Sequence, residues 1–282
     1  MKKFLAAILI TAASHFCYAQ DVNFKVQYLP NHIYNLSGSI TMNLNTDLSK
    51  VPQIADQLTK QGISEPINAV MVMELTGAIN TGTASADKTF PFTMNVNMPS
   101  MTVNVNGKQM PIPMPKASAT NIFGHISAEG RMSVDSLNGK KIPDSVAQKT
   151  LGMMNNMFKM VKFPDHPMKI GESFTQQIPF DIPMLSGLSN NIATTYKLVS
   201  IDGNKANFDV TQDMNMHMDV KGKVNINLTG GGTGKMVYDI SNNFFSTYTT
   251  NSNMQIAVKG DNVDVTGNLK IDGGMTYVIS GK

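Results

Sequence analysis

Apolar and polar residues alternate with a period of two over much of this sequence. Ile40, Met42 and Leu44, for example, alternate with Thr41 and Asn43. The pattern recurs in eight further segments, which are 94–98, 101–105, 214–220, 224–228, 236–240, 254–258, 263–271 and 275–279. Because successive side chains of a strand point to opposite faces, this alternation predicts strands with one apolar face and one face of Asn, Thr and Lys.

Turn-forming dipeptides separate many of these runs. They are Asn106-Gly107, Asn138-Gly139, Asp202-Gly203, Gly260-Asp261 and Asp272-Gly273. Such pairs favour tight hairpin turns, since Gly and Asn tolerate positive φ angles. The strands are therefore predicted to be antiparallel. The glycine-rich segment 229–235 is predicted to be a further turn or bulge.

Two segments have helical rather than strand periodicity. The first begins at Asp144, and its apolar residues recur at helical spacing to about Val161. Ser145 and Gln148 form a capping-box pair at its start. A shorter helix is predicted over residues 52–61, with a proline in its first turn and a glycine after its end.

These elements predict a mainly β (α+β) fold: a long antiparallel, strongly curved sheet or half-barrel with one or two covering helices. A sandwich of two stacked sheets would also bury the apolar faces. Periodicity alone leaves both arrangements open.

The N-terminus has the organisation of a secretory signal peptide. Lys2 and Lys3 precede the apolar run 4–13, and a short polar stretch then ends at Ala19. We therefore expect cleavage after Ala19 and a periplasmic or secreted protein. The rest of the chain, residues 20–282, is predicted to be one β-rich domain; two lobes joined by the helix near 144–161 are the alternative.

Removal of residues 1–19 would also change the charge and the cysteine content. The formal charge of +3 would fall to +1, and Cys17, the single cysteine, would be lost. Phe16 occupies the position where a lipoprotein signal has a small residue, so no lipid anchor is expected. A near-neutral chain whose single arginine is Arg131 does not favour nucleic acid as a partner.

Motifs for catalysis are missing from the sequence. It contains no Gly-x-Ser-x-Gly, and Thr229 and Met236 stand where a phosphate-binding loop needs Gly and Ser or Thr. The histidines after the signal peptide lack the spacing of metal ligands. We therefore expect no enzyme, no catalytic residues, no metal and no cofactor.

Methionine replaces aromatic residues on many of the predicted apolar faces, and its flexible thioether suits an adaptable apolar lining. This favours a non-enzymatic protein that binds a lipid or another apolar small molecule. The candidate ligand-binding residues are Met94, Met98, Met214, Met216 and Met218 of the sheet and Met154 and Met157 of the helix.

Other functions fit the same pattern. One is a structural or interaction module of the cell envelope, whose neutral polar face contacts a protein or a glycan. Another is an outer-membrane β-barrel, although the chain lacks tryptophan. Asp135-Ser136-Leu137 also fits a sequon for O-glycosylation. The oligomeric state stays open.

One stretch carries a family resemblance. Residues 163–174, Phe-Pro-Asp-His-Pro-Met-Lys-Ile-Gly-Glu-Ser-Phe, resemble a segment of uncharacterised secreted β-rich proteins of Bacteroidota, a domain of unknown function. Residues 196–206 and 232–239 are similar to the strands that follow in that family, so the resemblance covers about 160–282. It implies no activity and no functional residues. The overall pattern is also similar to lipoprotein-carrier folds, which implies a curved sheet with helices on its concave side.

Overall fold

A computed structural model describes most of the chain after residue 20. The described residues are 21–48, 50–51, 55–56, 59–60, 62–97, 100–110, 120–157, 161–181, 189–220, 224–260 and 263–282. The predicted signal peptide lies outside them, and it stays a prediction.

The described residues form fourteen strands and one helix of defined bounds. The strands are β1 (His32–Asp47), β2 (Ile67–Thr81), β3 (Phe90–Asn97), β4 (Met101–Val105), β5 (Lys108–Met110), β6 (Thr120–Ile126), β7 (Met132–Leu137), β8 (Lys140–Lys141), β9 (Ser173–Asp181), β10 (Ser189–Asp202), β11 (Lys205–Val220), β12 (Val224–Asp239), β13 (Phe244–Gly260) and β14 (Val263–Gly281). Helix α1 spans Asp144–Met157.

All fourteen strands belong to one antiparallel sheet. Its order is β8-β7-β6-β3-β2-β1-β14-β13-β12-β11-β10-β9, with β4 beside β2 and β5 beside β4. The sheet is not closed, because β8 and β9 are separate edges. This confirms the predicted mainly β fold, with a single sheet rather than a sandwich.

The sheet consists of two meanders that meet where the first strand pairs with the last. His32 of β1 lies opposite Gly281 of β14, and the pairing continues to Asp47 opposite Thr266. We call the end of the sheet near His32 the proximal end and the end near Asp47 the distal end. The chain leaves β8, forms α1 and reaches β9 through residues 161–172, so this connection runs from one edge to the other.

The register places paired residues of neighbouring strands on the same face of the sheet, so the sheet has two distinct faces. Met42 of β1 lies opposite Met71 of β2 and Ile271 of β14, whereas Asn43 lies opposite Val70 and Lys270. The face that carries Met42 is called the inner face here, and the opposite one the outer face. The outer face holds the Asn, Thr and Lys residues that the alternation predicts.

An aromatic core covers the proximal half of the inner face. The Phe24 ring centroid lies 5.2 Å from that of Phe163, 5.2 Å from that of Phe208 and 5.1 Å from that of Tyr238. Phe24 belongs to the N-terminal segment 21–31, and Phe163 belongs to the connection between α1 and β9. Two extended segments, rather than a second sheet, therefore bury the strands at this end.

Hydrogen bonds fix these two segments to each other and to the sheet. The backbones of Val22 and Met168 exchange bonds of 3.1 and 2.9 Å. The Tyr238 hydroxyl donates to the Lys25 carbonyl oxygen at 2.6 Å, and the Leu29 amide donates to the Tyr34 hydroxyl at 2.7 Å. Buried tyrosines therefore satisfy backbone groups that pairing between strands leaves free.

Three turn predictions are confirmed, two are wrong, and Gly260-Asp261 extends outside the described residues. Asn106 and Asn138 have φ angles of 49° and 50° in the β4–β5 and β7–β8 turns, and Gly203 has a φ angle of 58° in the β10–β11 turn. Asp272-Gly273, however, lies inside β14, where β1 and β13 pair with it from both sides. The segment 229–235 likewise lies inside β12, because β11 and β13 pair along its whole length. Pairing on both flanks outweighs the local turn preference.

Helix α1 begins at the predicted residue, and its described part does not extend to the predicted end. It spans Asp144–Met157, and Val161 lies beyond it as a buried residue without helical structure. Ala147 and Leu151 pack against the aromatic core. Of the shorter predicted helix over residues 52–61, the four described residues are helical.

Candidate functional site

The distal half of the inner face is built differently from the proximal half. On β1, β2 and β11–β14 most of its side chains are methionines and aliphatic residues, and no aromatic residue occupies a described position there. We call this surface the methionine face; its side chains are Met42, Leu44, Met71, Met73, Met214, Met216, Met218, Leu228, Met254, Ile256, Leu269 and Ile271.

One part of the methionine face is buried. Met214 and Met216 of β11 pack with Leu228 and Met254 in a cluster separate from the aromatic core. The register explains this contact, because Met216 lies opposite Leu228 and Leu228 lies opposite Ile256. Met218, further along β11, is also buried.

The other part, on β1, β2 and β14, is only half-buried. Met42, Met71, Met73 and Ile271 all keep part of their surface exposed. Ile271, Met42 and Met71 are direct cross-strand neighbours, and Met73 follows Met71 on the same face of β2, so the four side chains form one strip. Contiguous apolar surface that stays accessible can mark a binding site.

Charge is excluded from the inner face. Among the described inner-face positions of β1, β2 and β9–β14, no residue is Asp, Glu, Lys or Arg, and the single histidine is His32 at the proximal end of β1. The outer face of the same strands carries ion pairs, such as Lys235 with Asp209 at 2.6 Å. The methionine face therefore offers dispersion contacts and no electrostatic anchor.

The structure separates the methionines that the sequence singles out. Met94 of β3 is fully buried within the aromatic core, whereas Met214, Met216 and Met218 belong to the methionine face. Met98 lies outside the described residues. The side chains of Met154 and Met157 also lie outside them, although both residues belong to α1.

The methionines of β2 complete the face, and sequence reasoning missed them. Met71 and Met73 belong to the run Val70-Met71-Val72-Met73, where apolar residues occupy both faces and hide the alternation. Only the pairing of Met71 with Met42, which the alternation does show, places them on the inner face.

On β9–β13, a row of uncharged polar side chains lies between the aromatic core and the buried part of the methionine face; on β14 and β1 the same row continues as Ile271 and Met42. We call the polar part of this row the polar belt; it consists of Gln176, Thr194, Gln212 and Ser252 on four strands. Thr194 lies opposite both Gln176 and Gln212, and Gly232 connects Gln212 to Ser252. Ser252 Oγ donates to Gln212 Oε1 at 2.9 Å.

Glycines of β12 allow that strand to lie close to β13 beside the polar belt. A Cβ at Gly232 would collide with the Ser252 side chain, and one at Gly234 would collide with the Thr249 carbonyl oxygen. Only glycine allows β12 and β13 to approach so closely on this face. The glycines of 229–235 thus have a structural role in the strand.

Burial sets the pKa values of the aromatic core. Desolvation raises the pKa of the Tyr238 hydroxyl to about 12, and it raises the pKa of Tyr28 and Tyr277 well above the usual value. These hydroxyls are neutral at physiological pH, and that of Tyr238 donates a hydrogen bond to the Lys25 carbonyl oxygen. The proximal half therefore contains titratable groups, which the inner-face positions of the distal half do not.

The outer face contains an open concavity of about 620 Å³ opposite the methionine face. Amide side chains line most of it, namely Asn43, Asn45, Asn68, Asn253, Gln255 and Asn268. Each amide can donate and accept hydrogen bonds. His217 is also on this side, exposed and 2.6 Å from the Asn227 side-chain oxygen.

A metal-ligand cluster and a membrane-spanning helix are both missing from the described residues. These residues contain no group of three or more His, Cys, Asp or Glu side chains that could hold a metal ion. They also contain no helix that is long and apolar enough to cross a membrane.

Comparison with solved structures gives distant likenesses. A lipovitellin structure, described as showing lipid–protein interactions in lipovitellin, is 13% identical with a TM-score of 0.47, and the match covers 90% of this chain. The chain spans about a quarter of that protein, 26% of its length. A triple mutant of the Rh. blastica porin is 9% identical with a TM-score of 0.24, covering 87% of this chain and 100% of the porin.

Comparison by sequence finds one domain family. No curated protein matches the chain. Residues 144–280, from α1 to the end of β14, match a family of unknown function, DUF6263. This region overlaps residues 160–282, where the sequence resembles an uncharacterised domain, so the C-terminal half of the chain is similar to a known domain without an assigned role.

Proposed function

We propose that this protein is a non-enzymatic protein of the periplasm or the cell exterior that binds a lipid or another apolar molecule on its methionine face. The observation that carries the proposal is the half-exposed, uncharged strip around Met42, Met71 and Ile271. Removing apolar surface from water yields about 25 cal/mol per Å², so a ligand that covers this strip gains affinity without any specific polar contact.

Methionine suits this role better than the aromatic residues of the proximal half. Its unbranched side chain adjusts to ligands of different shape, whereas interlocked rings hold one arrangement. A methionine-lined site would therefore tolerate several acyl chains or other apolar groups. The proposal predicts broad selectivity among apolar tails.

The binding test uses the neutral fluorescent probe N-phenyl-1-naphthylamine and two matched variants. Met42→Asp puts a carboxylate on the methionine face, and we expect probe affinity to fall at least tenfold, since an unpaired charge would face the ligand. Asn43→Asp puts the same charge on the outer face and is expected to leave affinity unchanged. Circular dichroism checks that both variants keep their strands.

Two results would contradict the proposal. One is a wild-type protein that neither binds the probe nor releases an apolar molecule on solvent extraction. The other is equal probe affinity in Met42→Asp and Asn43→Asp.

The proposed compartment has its own test. We expect the exported protein to begin at Gln20, because cleavage after Ala19 is predicted, and deletion of residues 2–19 should retain it in the cytoplasm. N-terminal sequencing of the exported protein and cell fractionation measure this. An intact N-terminus in the exported protein would refute the cleavage.

A second candidate function rests on the outer face. The amide-lined concavity of about 620 Å³ favours contact with a glycan or an envelope protein. A glycan array probed with wild type and with Asn253→Leu tests it: loss of a glycan signal in the variant supports this function. Unchanged signals, or none, argue against glycan binding there.

A further inference from the structure

The polar belt is the feature of the inner face that apolar binding alone does not explain. An apolar ligand needs no polar groups, and burying them unpaired costs free energy. Yet four polar side chains lie in one row of the inner face, at the boundary of the methionine face. Their alignment across four strands places hydrogen-bonding groups at one level of the sheet.

Thr194 is the unusual member of the belt. Its side chain is fully buried, and its Oγ1 has no hydrogen-bond partner. Most buried hydroxyls in proteins are paired, so an unpaired one calls for an explanation. Thr194 lies directly between Gln176 and Gln212, both of which keep part of their surface exposed.

The belt can recognise an uncharged group. Gln212 and Thr194 can each donate and accept hydrogen bonds, and the inner-face positions described around them hold no charge to balance an ionised head group. The Lys162 backbone amide donates to Gln176 Oε1 at 3.0 Å, so a lysine residue is near this edge of the belt. Its side chain is exposed.

We infer that the polar belt binds the neutral hydrogen-bonding group of an amphiphile, such as an ester or a hydroxyl, while the apolar tail lies on the methionine face. The group enters between Gln176 and Gln212 and gives Thr194 Oγ1 a partner. This inference rests on the proposed apolar binding and adds the class of ligand: a neutral amphiphile rather than a fatty-acid anion.

The experiment compares three competitors with the same sixteen-carbon tail at pH 8: hexadecanol, methyl palmitate and palmitate. Each displaces N-phenyl-1-naphthylamine from the purified chain. We expect one or both neutral ligands to bind about tenfold more tightly than palmitate, the scale of one or two hydrogen bonds. Gln212→Leu and Thr194→Val should reduce this preference while probe binding itself persists.

Thr194→Val also separates recognition from a structural role. The change keeps the shape and removes the unpaired hydroxyl, so the melting temperature should stay the same or rise. A lower melting temperature with an unchanged ligand preference would show that Thr194 serves folding alone, and it would overturn its role in recognition.

The outcomes distinguish the two proposals. Probe binding with equal affinity for all three competitors overturns the belt inference and leaves the methionine face as the binding site. Tighter binding of palmitate also overturns it and directs attention to Lys162. No probe binding at all overturns the proposed function and, with it, the inference.

Discussion

The two halves of the inner face share strands and the same apolar alternation, but they differ in what covers them. In the proximal half, residues 21–31 and 161–172 cover the sheet with interlocked rings, and Tyr34, Tyr196 and Phe208 are almost fully buried. In the distal half, the strip around Met42 and Met71 stays half-exposed. A one-layer sheet can therefore bury one half of its apolar face while part of the other half stays accessible.

The largest expected difference between the halves is in stability. Phe208→Ala removes a buried ring that contacts Phe24 and Phe163, and should lower the free energy of unfolding by about 3–5 kcal/mol. Met71→Ala, in the half-exposed strip, should cost about 1 kcal/mol. Urea unfolding of both variants measures the difference. Equal losses would show that the distal half is as much a folding core as the proximal half.

Alkaline pH should affect the proximal half. The pKa of Tyr238 is raised from its usual value of about 10 to about 12, because burial disfavours the anion. Stability from this tyrosine is thus complete below pH 10 and declines as pH rises from 10 towards 12. Unfolding curves at pH 8, 10 and 11.5 should show a progressive loss that is smaller in Tyr238→Phe. No pH dependence would contradict the burial of this hydroxyl.

The close approach of β12 and β13 at the boundary of the halves is the next test. Gly234→Ala places a Cβ against the Thr249 carbonyl oxygen and should destabilise the fold by about 1–3 kcal/mol. Gly281→Ala is the control, since its Cβ would meet nothing within 4 Å. Thermal unfolding compares the two. A neutral Gly234→Ala would mean that the two strands can separate at this point without cost.

The smallest expected effect concerns helix α1. Gly152 lies inside the helix with open space around its Cβ position, so Gly152→Ala should stabilise the protein by about 0.5–1 kcal/mol. Probe binding should stay unchanged, because the described contacts of α1 are with the aromatic core. Thermal unfolding and probe titration check both points; a loss of probe affinity would place the helix at the binding site.

Local patterns predicted the strands and the helix, because alternation and capping depend on neighbours in sequence. These local patterns failed where pairing between strands determines the structure. Asp272-Gly273 is a sound turn signal, but β1 and β13 hold it in a strand. The alignment of Thr194 with Gln212 likewise depends on register between strands.

The polar belt did leave a signal in the sequence. In the run Val210, Gln212, Met214 a polar residue interrupts the apolar positions, and Tyr196, Thr194, Ile192 shows the same interruption. Each alone looks like a local irregularity. Only the sheet shows that the interruptions lie at one level, which is why sequence reasoning did not identify the belt.

The most direct test of the account is nuclear magnetic resonance of the methionine methyl groups, labelled with ¹³C, during titration with methyl palmitate. Resonances of Met42, Met71 and Met73 should shift with ligand, whereas those of Met94, Met168 and Met236, which are buried in the aromatic core, should stay in place. Shifts confined to the aromatic core, or none at saturating ligand, would contradict the division of the inner face into a folding half and a binding half.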